Sequence, residues 1–123
     1  MLLSIAPDDD VPIYLQLRDQ IVAALVRGEL SEGDALPSVR QLAVDLGINL
    51  HTVAKAYKTL EHEGYLRILG RRGARVQARP DYNDDYLRQL SAAIGKLYLD
   101  ARGHGVDAEL FGGVVDEILS KEA

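Results

Sequence analysis

The chain has 123 residues, a hydrophobic fraction of 47% and a formal net charge of −5, which predicts one compact domain with an attached segment. The absence of cysteine excludes disulfides, thiolate metal sites and a cysteine nucleophile. The sequence begins without a basic leader, and no apolar stretch approaches the roughly 20 residues that span a bilayer, so we expect a cytoplasmic protein without a membrane segment.

The first predicted element is a helix that begins at Pro12 and ends at Gly28. Proline is tolerated in the first helical turn, where its missing N–H costs nothing, and glycine is a common C-terminal stop. The residues from Leu30 to Pro37 contain many turn formers and predict a connection. Between Pro12 and Gly28, apolar side chains recur at helical spacing at Tyr14, Leu17, Ile21 and Leu25.

Two short helices joined by a tight turn follow this connection. Ser38-Val-Arg-Gln41 matches a capping box, in which the serine hydroxyl accepts a backbone N–H and the glutamine side chain reaches back. Gly47 can adopt the left-handed conformation that ends the first of these helices, and Asn49 caps the second. The second helix has a core face formed by Val53, Tyr57 and Leu60, and an opposite face that carries His51, Lys55, Lys58 and His62.

A basic hairpin comes directly after Gly64. Residues 65–69 and 74–78 predict two strands, and Gly70-Arg-Arg-Gly73 predicts the turn between them. Two helices followed by an arginine-tipped hairpin are typical of a winged helix-turn-helix, which places one helix in the major groove of DNA.

The composition changes after Pro80, and two more helices are predicted. The first begins among the acidic residues 81–85 and ends at the turn Arg102-Gly-His-Gly105, and Asp107 caps the second. Both carry long apolar stripes, which either pack on the preceding domain or meet a partner chain. Because two helices of about 45 residues in total cannot bury both stripes against each other, we expect a symmetric partner to cover them. The predicted dimerisation residues are Leu87, Leu90, Ile94, Leu97, Tyr98, Leu110, Phe111, Val114 and Ile118.

The sequence therefore predicts a mostly helical protein with a small β-hairpin. A winged helix-turn-helix DNA-binding domain covers residues 11–79, and a two-helix dimerisation tail covers residues 80–123. Charge supports this division, since residues 35–79 contain eight basic and three acidic side chains, whereas the segments on either side are both acidic. A local basic patch matters more to a polyanion than the net charge of the whole chain.

The candidate DNA contacts lie on the second helix and at the tip of the hairpin. His51 and Thr52 are in the first helical turn, where side chains meet base edges, and Lys55 and Lys58 suit phosphates or guanine. The paired arginines Arg71 and Arg72 suit a narrow minor groove or flanking phosphates. The alternative interpretation of these residues is a solvated helix face and an ordinary surface turn.

No pattern in the chain predicts catalysis or metal binding. Asp8-Asp-Asp10 is interpreted as a frayed acidic tail, and His51, His62 and His104 have no metal-ligand spacing. No nucleophile–base pair, phosphate loop or paired-carboxylate signature is present, so we expect neither an enzyme nor a cofactor.

Three segments together resemble the N-terminal domain of GntR-family bacterial transcription regulators, over about residues 11–79. The short two-helix tail is similar to that of the YtrA-type subfamily, whose members are compact dimers and often repressors. The resemblance implies DNA contacts from Ser38, Arg40, Asn49, His51, Thr52, Lys55, Arg71 and Arg72. The three segments are Pro12-Ile-Tyr-Leu-Gln-Leu17, Gly33-Asp-Ala-Leu-Pro-Ser-Val-Arg-Gln-Leu-Ala43 and Asn49-Leu-His-Thr-Val-Ala-Lys-Ala-Tyr-Lys-Thr-Leu-Glu-His-Glu-Gly64.

The function predicted from the sequence is a DNA-binding transcription regulator, a repressor that binds an inverted-repeat operator as a homodimer. The alternative is a winged-helix module whose basic face binds an acidic protein without direct contact to DNA. DNA is favoured over a protein partner, because a protein-binding face more typically carries exposed aromatic residues. The sequence leaves open whether a small-molecule effector binds.

Overall fold

The computed structural model describes residues 2–122, which form two units that divide between Pro80 and Asp81. The described part is mostly helical with one small sheet, which confirms the predicted fold class. Its elements in chain order are α1 (Ile13–Val26), β1 (Ala35–Leu36), α2 (Val39–Leu46), α3 (Leu50–His62), β2 (Leu66–Ile68), a 3-10 turn (Gly70–Arg72), β3 (Ala74–Val76), α4 (Asp84–Gly103) and α5 (Ala108–Glu122).

The first unit has its own hydrophobic core, in which α1 packs against α3 and α2 packs against α3. Helix α1 contributes one face of its 3.6-residue period, so the apolar residues that recur along it point inward together. The inward-facing residues of the sheet belong to the same core. The buried side chains are Leu17, Ile21, Ala24, Leu30, Leu36, Leu42, Ala43, Val53, Ala56, Tyr57, Leu60, Leu66, Ala74 and Val76.

The predicted caps define the helix-turn-helix. The Ser38 hydroxyl accepts a hydrogen bond from the Gln41 backbone N–H at 3.1 Å, and Gly47 ends α2 with φ +66°. The capping box is nevertheless only half formed, and that part of the prediction is wrong. The Gln41 side-chain NH2 instead donates to Asp45 Oδ1 at 2.7 Å, since a carboxylate one turn further along the same helix face is a strong acceptor.

The hairpin belongs to a three-stranded antiparallel sheet in the order β1-β3-β2. The two predicted strands are present but shorter, and β1 lies inside the segment expected to be a connection. Gly73 has φ +87°, and a Cβ there would lie 2.1 Å from the carbonyl oxygen of Leu36. Glycine at this position therefore lets β1 approach the start of β3 closely enough to pair with it.

The acidic residues Asp8–Asp10, interpreted from the sequence as a frayed tail, form a turn instead, so that interpretation is wrong. The Asp9 N–H donates to the Ala6 carbonyl at 3.1 Å, and Asp9 Oδ1 accepts from the Val11 N–H at 3.0 Å.

The segment before this turn is held against α1. Leu3 and Ile5 pack against the core from outside. Two glutamines of α1 hold the segment through their side-chain amides: Gln16 accepts from the Ala6 N–H at 2.8 Å, and Gln20 accepts from the Ser4 N–H at 2.8 Å. These amides act as the hydrogen-bonding partner that a neighbouring strand provides elsewhere.

The second unit consists of α4 and α5. The Asn83 side chain caps α4 by accepting from the Tyr86 N–H at 2.8 Å, and the predicted cap Asp107 accepts from the Leu110 N–H at 2.8 Å. No side chain within residues 81–122 is fully buried. No helix in residues 2–122 combines the length and the apolar character that a bilayer-spanning segment needs.

Candidate nucleic-acid interface

Helix α3 presents one polar face because its other face is committed to the core. Val53, Ala56 and Leu60 have no exposed surface, so residues between them in the helical period must face outward. His51, Lys55 and Lys58 are all exposed. The structure thus brings together, on one side of α3, the residues that the sequence placed there.

The first turn of α3 is fixed by its cap. The Asn49 Oδ1 atom accepts a hydrogen bond from the His51 N–H at 2.7 Å, which leaves the two N–H donors of the Asn49 amide available. Thr52 is half-buried beside this turn. The result is a cluster of polar donors and acceptors in a defined geometry at the N-terminal end of the helix.

The start of α2 is tied to α3 by a buried tyrosine. The Tyr57 hydroxyl donates to the Pro37 carbonyl oxygen at 2.7 Å, and burial raises the pKa of this phenol above its usual value. Two candidate contact residues follow directly. The Ser38 hydroxyl accepts a hydrogen bond as the cap of α2, and Arg40 is exposed in the first turn of the helix.

The tip of the hairpin carries Arg71 and Arg72 in a single 3-10 turn, and both are exposed. The turn is closed by the Leu69 N–H, which donates to the Gly73 carbonyl at 2.8 Å. Among the ion pairs of residues 2–122, none involves either arginine. Both guanidinium groups therefore project from a fixed turn with their positive charge uncompensated.

An ion pair connects α1 to the end of α3. Arg18 Nε donates to Glu63 Oε1 at 3.0 Å, and a second N–H of the same guanidinium donates to Glu63 Oε2. The hydrogen bond that Arg18 donates to the Glu63 carboxylate is the main reason that the pKa of Arg18 lies above its usual range. This two-point contact links the two helices in addition to their shared core, because a planar guanidinium and a planar carboxylate pair in one orientation.

Comparison with known proteins places this architecture in a family. The model of the gntR family of bacterial regulatory proteins matches residues 13–76. The chain belongs to the GntR family. The transcriptional repressor YtrA of Bacillus subtilis (strain 168) is 34% identical to it over 119 residues, which cover 95% of this chain and 92% of YtrA.

Two solved structures resemble this GntR-family protein closely. A transcriptional antiterminator from Listeria monocytogenes EGD-e has a TM-score of 0.89 at 27% identity, and the match covers 99% of this chain and 92% of that one. The GntR-family factor YtrA from Sulfolobus acidocaldarius has a TM-score of 0.66 at 35% identity, covering 79% and 97%. Family and fold confirm the predicted function class, a transcription regulator with a winged helix-turn-helix DNA-binding domain.

The GntR-family domain has further exposed residues that the sequence interpretation did not include among the candidate DNA contacts. Arg67 and Arg75 lie directly opposite each other on β2 and β3, and both are exposed on the outer face of the sheet. The alternation of apolar and basic residues in both strands was the signal for them. Leu50, the first residue of α3, is also exposed at 36%, although it is apolar.

Tyr14 is a further residue of this surface that sequence reasoning assigned only to the core stripe of α1. Its ring lies under the Lys55 ammonium, with the nitrogen 4.0 Å from the ring centroid. The two side chains come from the first turn of α1 and the second turn of α3. Pro12, Asn49 and Thr52 line the same shallow depression.

Proposed function

We propose that this protein is a transcriptional repressor that binds an inverted-repeat operator as a homodimer. The single observation that carries the proposal is the exposed face of α3 beside the arginine-tipped hairpin. This face presents fixed polar groups in the first helical turn and cations further along. The similarity to the YtrA repressor of Bacillus subtilis supports the direction of regulation.

The roles of the side chains follow from their positions in this domain. Groups in the first turn of α3 suit base edges in the major groove, and cations at its flank and at the hairpin tip suit phosphates. We assign base contacts to Asn49, His51 and Thr52. We assign phosphate or flanking contacts to Ser38, Arg40, Lys55, Lys58, Arg71 and Arg72.

The second unit supplies the proposed dimer interface. Tyr98 and Phe111 pack edge to face with their ring centroids 5.1 Å apart, which joins α4 to α5 within one chain. The remaining predicted dimerisation residues stay at least two-fifths exposed, so their apolar surface is available to a second copy. A two-fold axis would let the same face of each copy cover the other. These residues are Leu87, Leu90, Ile94, Leu97, Leu110, Val114 and Ile118.

This proposal divides the chain into a DNA-binding domain over residues 11–79 and a dimerisation domain over residues 80–123. Repression then needs only occupancy of a promoter in the cytoplasm and involves no catalysis. Joining two half-site contacts raises their effective concentration, so a dimer binds far more tightly than one domain alone.

Selection from a pool of random duplexes tests the proposal. The full-length protein is expected to enrich a sequence with inverted repeats, and sedimentation is expected to give a dimer. A chain that ends at Arg79 keeps the complete core of the first unit. It is expected to be monomeric and to bind the enriched duplex at least about 100-fold more weakly.

Each part of the proposal has its own contradicting outcome. A truncated chain that remains dimeric would move the dimer interface out of residues 80–123. Binding without any enriched sequence, or binding only to an acidic protein, would favour the interaction module over the regulator.

A further inference from the structure

We propose that Tyr14 is a positioning residue for DNA binding: its ring holds the Lys55 ammonium where that cation meets a backbone phosphate. This inference rests on the proposed function, since it assigns a partner to one of the cations on the DNA-binding face. It adds the first turn of α1 to a surface otherwise built from α2, α3 and the hairpin.

The geometry of the pair is that of a cation–π contact. Lys55 Nζ lies 4.0 Å from the centroid of the Tyr14 ring, well inside the roughly 6 Å range of this interaction. No ion pair within residues 2–122 involves Lys55. The aromatic ring is thus the group that limits the freedom of a long side chain on an exposed helix face.

The ring itself is held in place by the core. Tyr14 is half-buried and packs against the core cluster, and Leu17 and Ile21 on the same helix have no exposed surface. Helix α1 packs along α3, and the two-point contact between Arg18 and Glu63 joins them a second time. The distance from the ring to α3 is therefore fixed by elements that do not depend on DNA.

An aromatic ring has an advantage over a carboxylate in this role. A glutamate or aspartate at the same place would also hold the ammonium, but its charge would cancel the charge that the phosphate needs. The face of an aromatic ring attracts a cation through its quadrupole and leaves the net positive charge in place. Less side-chain freedom then remains to be lost on binding, since a lysine in an interface otherwise gives up several rotamers.

The contact can be observed first in the free protein. A ring this close to Nζ shifts the proton resonances of the Lys55 ε-methylene upfield. The shift is expected in the wild type and in Tyr14→Phe, which keeps the ring, and is expected to vanish in Tyr14→Leu. Lys58, one turn away on the same face, is the internal reference and is expected to stay unchanged.

Salt titrations with mixed-sequence duplex DNA test the consequence for binding. Tyr14→Leu is expected to weaken binding about two- to tenfold, the cost of immobilising one long side chain on binding, whereas Tyr14→Phe keeps wild-type affinity. Lys55→Met is expected to lower the slope of log affinity against log salt by about 0.9 for each bound domain. In the Lys55→Met background, Tyr14→Leu is expected to cost nothing further, because the ring acts through the lysine.

Several results would overturn the inference, and they differ from those that overturn the proposed function. If Tyr14→Phe binds as weakly as Tyr14→Leu, the tyrosine hydroxyl contacts DNA directly and the ring does not position Lys55. If Tyr14→Leu costs the same with and without Lys55, the two residues act independently. If the wild type binds no duplex at low salt, the proposed function fails and the inference fails with it. Melting curves of each variant confirm that the compared chains are folded.

Discussion

Both units contain helices with apolar residues at helical spacing, but these residues are buried in the first unit and exposed in the second. In α3, residues spaced at the helical period, such as Val53 and Leu60, have no exposed surface. In α4, Ile94 and Leu97 follow the same period but remain 47% and 63% exposed. An apolar stripe therefore predicts which face of a helix is to be buried, but it does not predict whether the same chain buries it.

The difference arises from the number of elements around each stripe. Three helices and a sheet surround the core of the first unit, so the core-facing stripes of α1 and α3 are covered by other elements. The second unit has two helices, which share one aromatic contact between Tyr98 and Phe111. Substitutions in the two units are expected to differ in size and in their dependence on protein concentration.

The largest effect is expected in the core of the first unit. Leu17→Ala removes a fully buried side chain and leaves a cavity between α1 and its neighbours, so the free energy of unfolding is expected to fall by about 2–5 kcal/mol. Denaturant titration measures the loss, which is expected to be the same at every protein concentration. The matched control Leu90→Ala removes an exposed leucine, and an equal loss at low concentration would contradict the comparison.

The next effect concerns the exposed stripes. Leu90→Asp together with Ile118→Asp places charge on the proposed dimer face, and the protein is expected to become monomeric and lose about 100-fold in operator affinity. The helix content measured by circular dichroism is expected to stay unchanged, because neither side chain is buried. Sedimentation measures the oligomeric state of the double variant. A retained dimer would show that these two residues do not lie in the dimer interface.

Substitutions in α3 are expected to have the third-largest effect. His51→Ala or Thr52→Ala is expected to reduce operator binding by about 1–3 kcal/mol for each lost base contact. Thermal stability is expected to change by less than about 0.5 kcal/mol for the exposed His51. The measurement compares the selected operator with a scrambled duplex at one salt concentration. Equal losses on both duplexes would remove these residues from base recognition.

The hairpin tip is expected to act on both kinds of duplex alike. Arg71→Ala with Arg72→Ala should flatten the salt dependence by about one to two units for each bound domain, since each phosphate contact contributes roughly 0.9. Arg88→Ala in α4 is the matched control in the second unit and is expected to leave the slope unchanged. A normal slope with lost sequence preference would instead place the two arginines on base edges.

The smallest effect is expected at Tyr57. Tyr57→Phe removes the hydrogen bond to the Pro37 carbonyl and is expected to cost about 0.5–1.5 kcal/mol. Burial raises the pKa of this phenol, so above pH of about 10 the unfolded chain loses a proton that the folded chain keeps. Stability therefore falls as pH rises past that value, and less steeply in the variant. Tyr82→Phe, at an exposed tyrosine, is the matched control and is expected to change the free energy of unfolding by less than about 0.5 kcal/mol.

Local signals in the sequence predicted most of the first unit. The caps at Ser38 and Asn49 and the left-handed Gly47 act within one or two turns, so the positions of α2 and α3 could be derived without any tertiary contact. The exposed face of α3 followed from the same period that defines its core face. The family resemblance carried the remaining contact residues, and their roles remain predictions.

Long-range contacts decided what the sequence interpretation missed. Strand β1 is two residues long and exists only because Leu36 pairs with Ala74 across the sheet. The conformation of the chain around Ser4 and Ala6 depends on hydrogen bonds to the side-chain amides of Gln20 and Gln16. Local sequence patterns do not predict these contacts.

By itself, the amino-acid sequence determined the order of the elements, the family and the polar face of α3, because caps, turns and periodicity are properties of neighbouring residues. Only the tertiary structure decided which distant side chains meet. Tyr14 and Lys55 belong to different helices, and their contact at 4.0 Å exists because the packing of α1 on α3 brings them together. The apolar stripes of α4 and α5 are equally plain in the sequence, but their exposure became known only from the fold, since burial depends on what surrounds a helix.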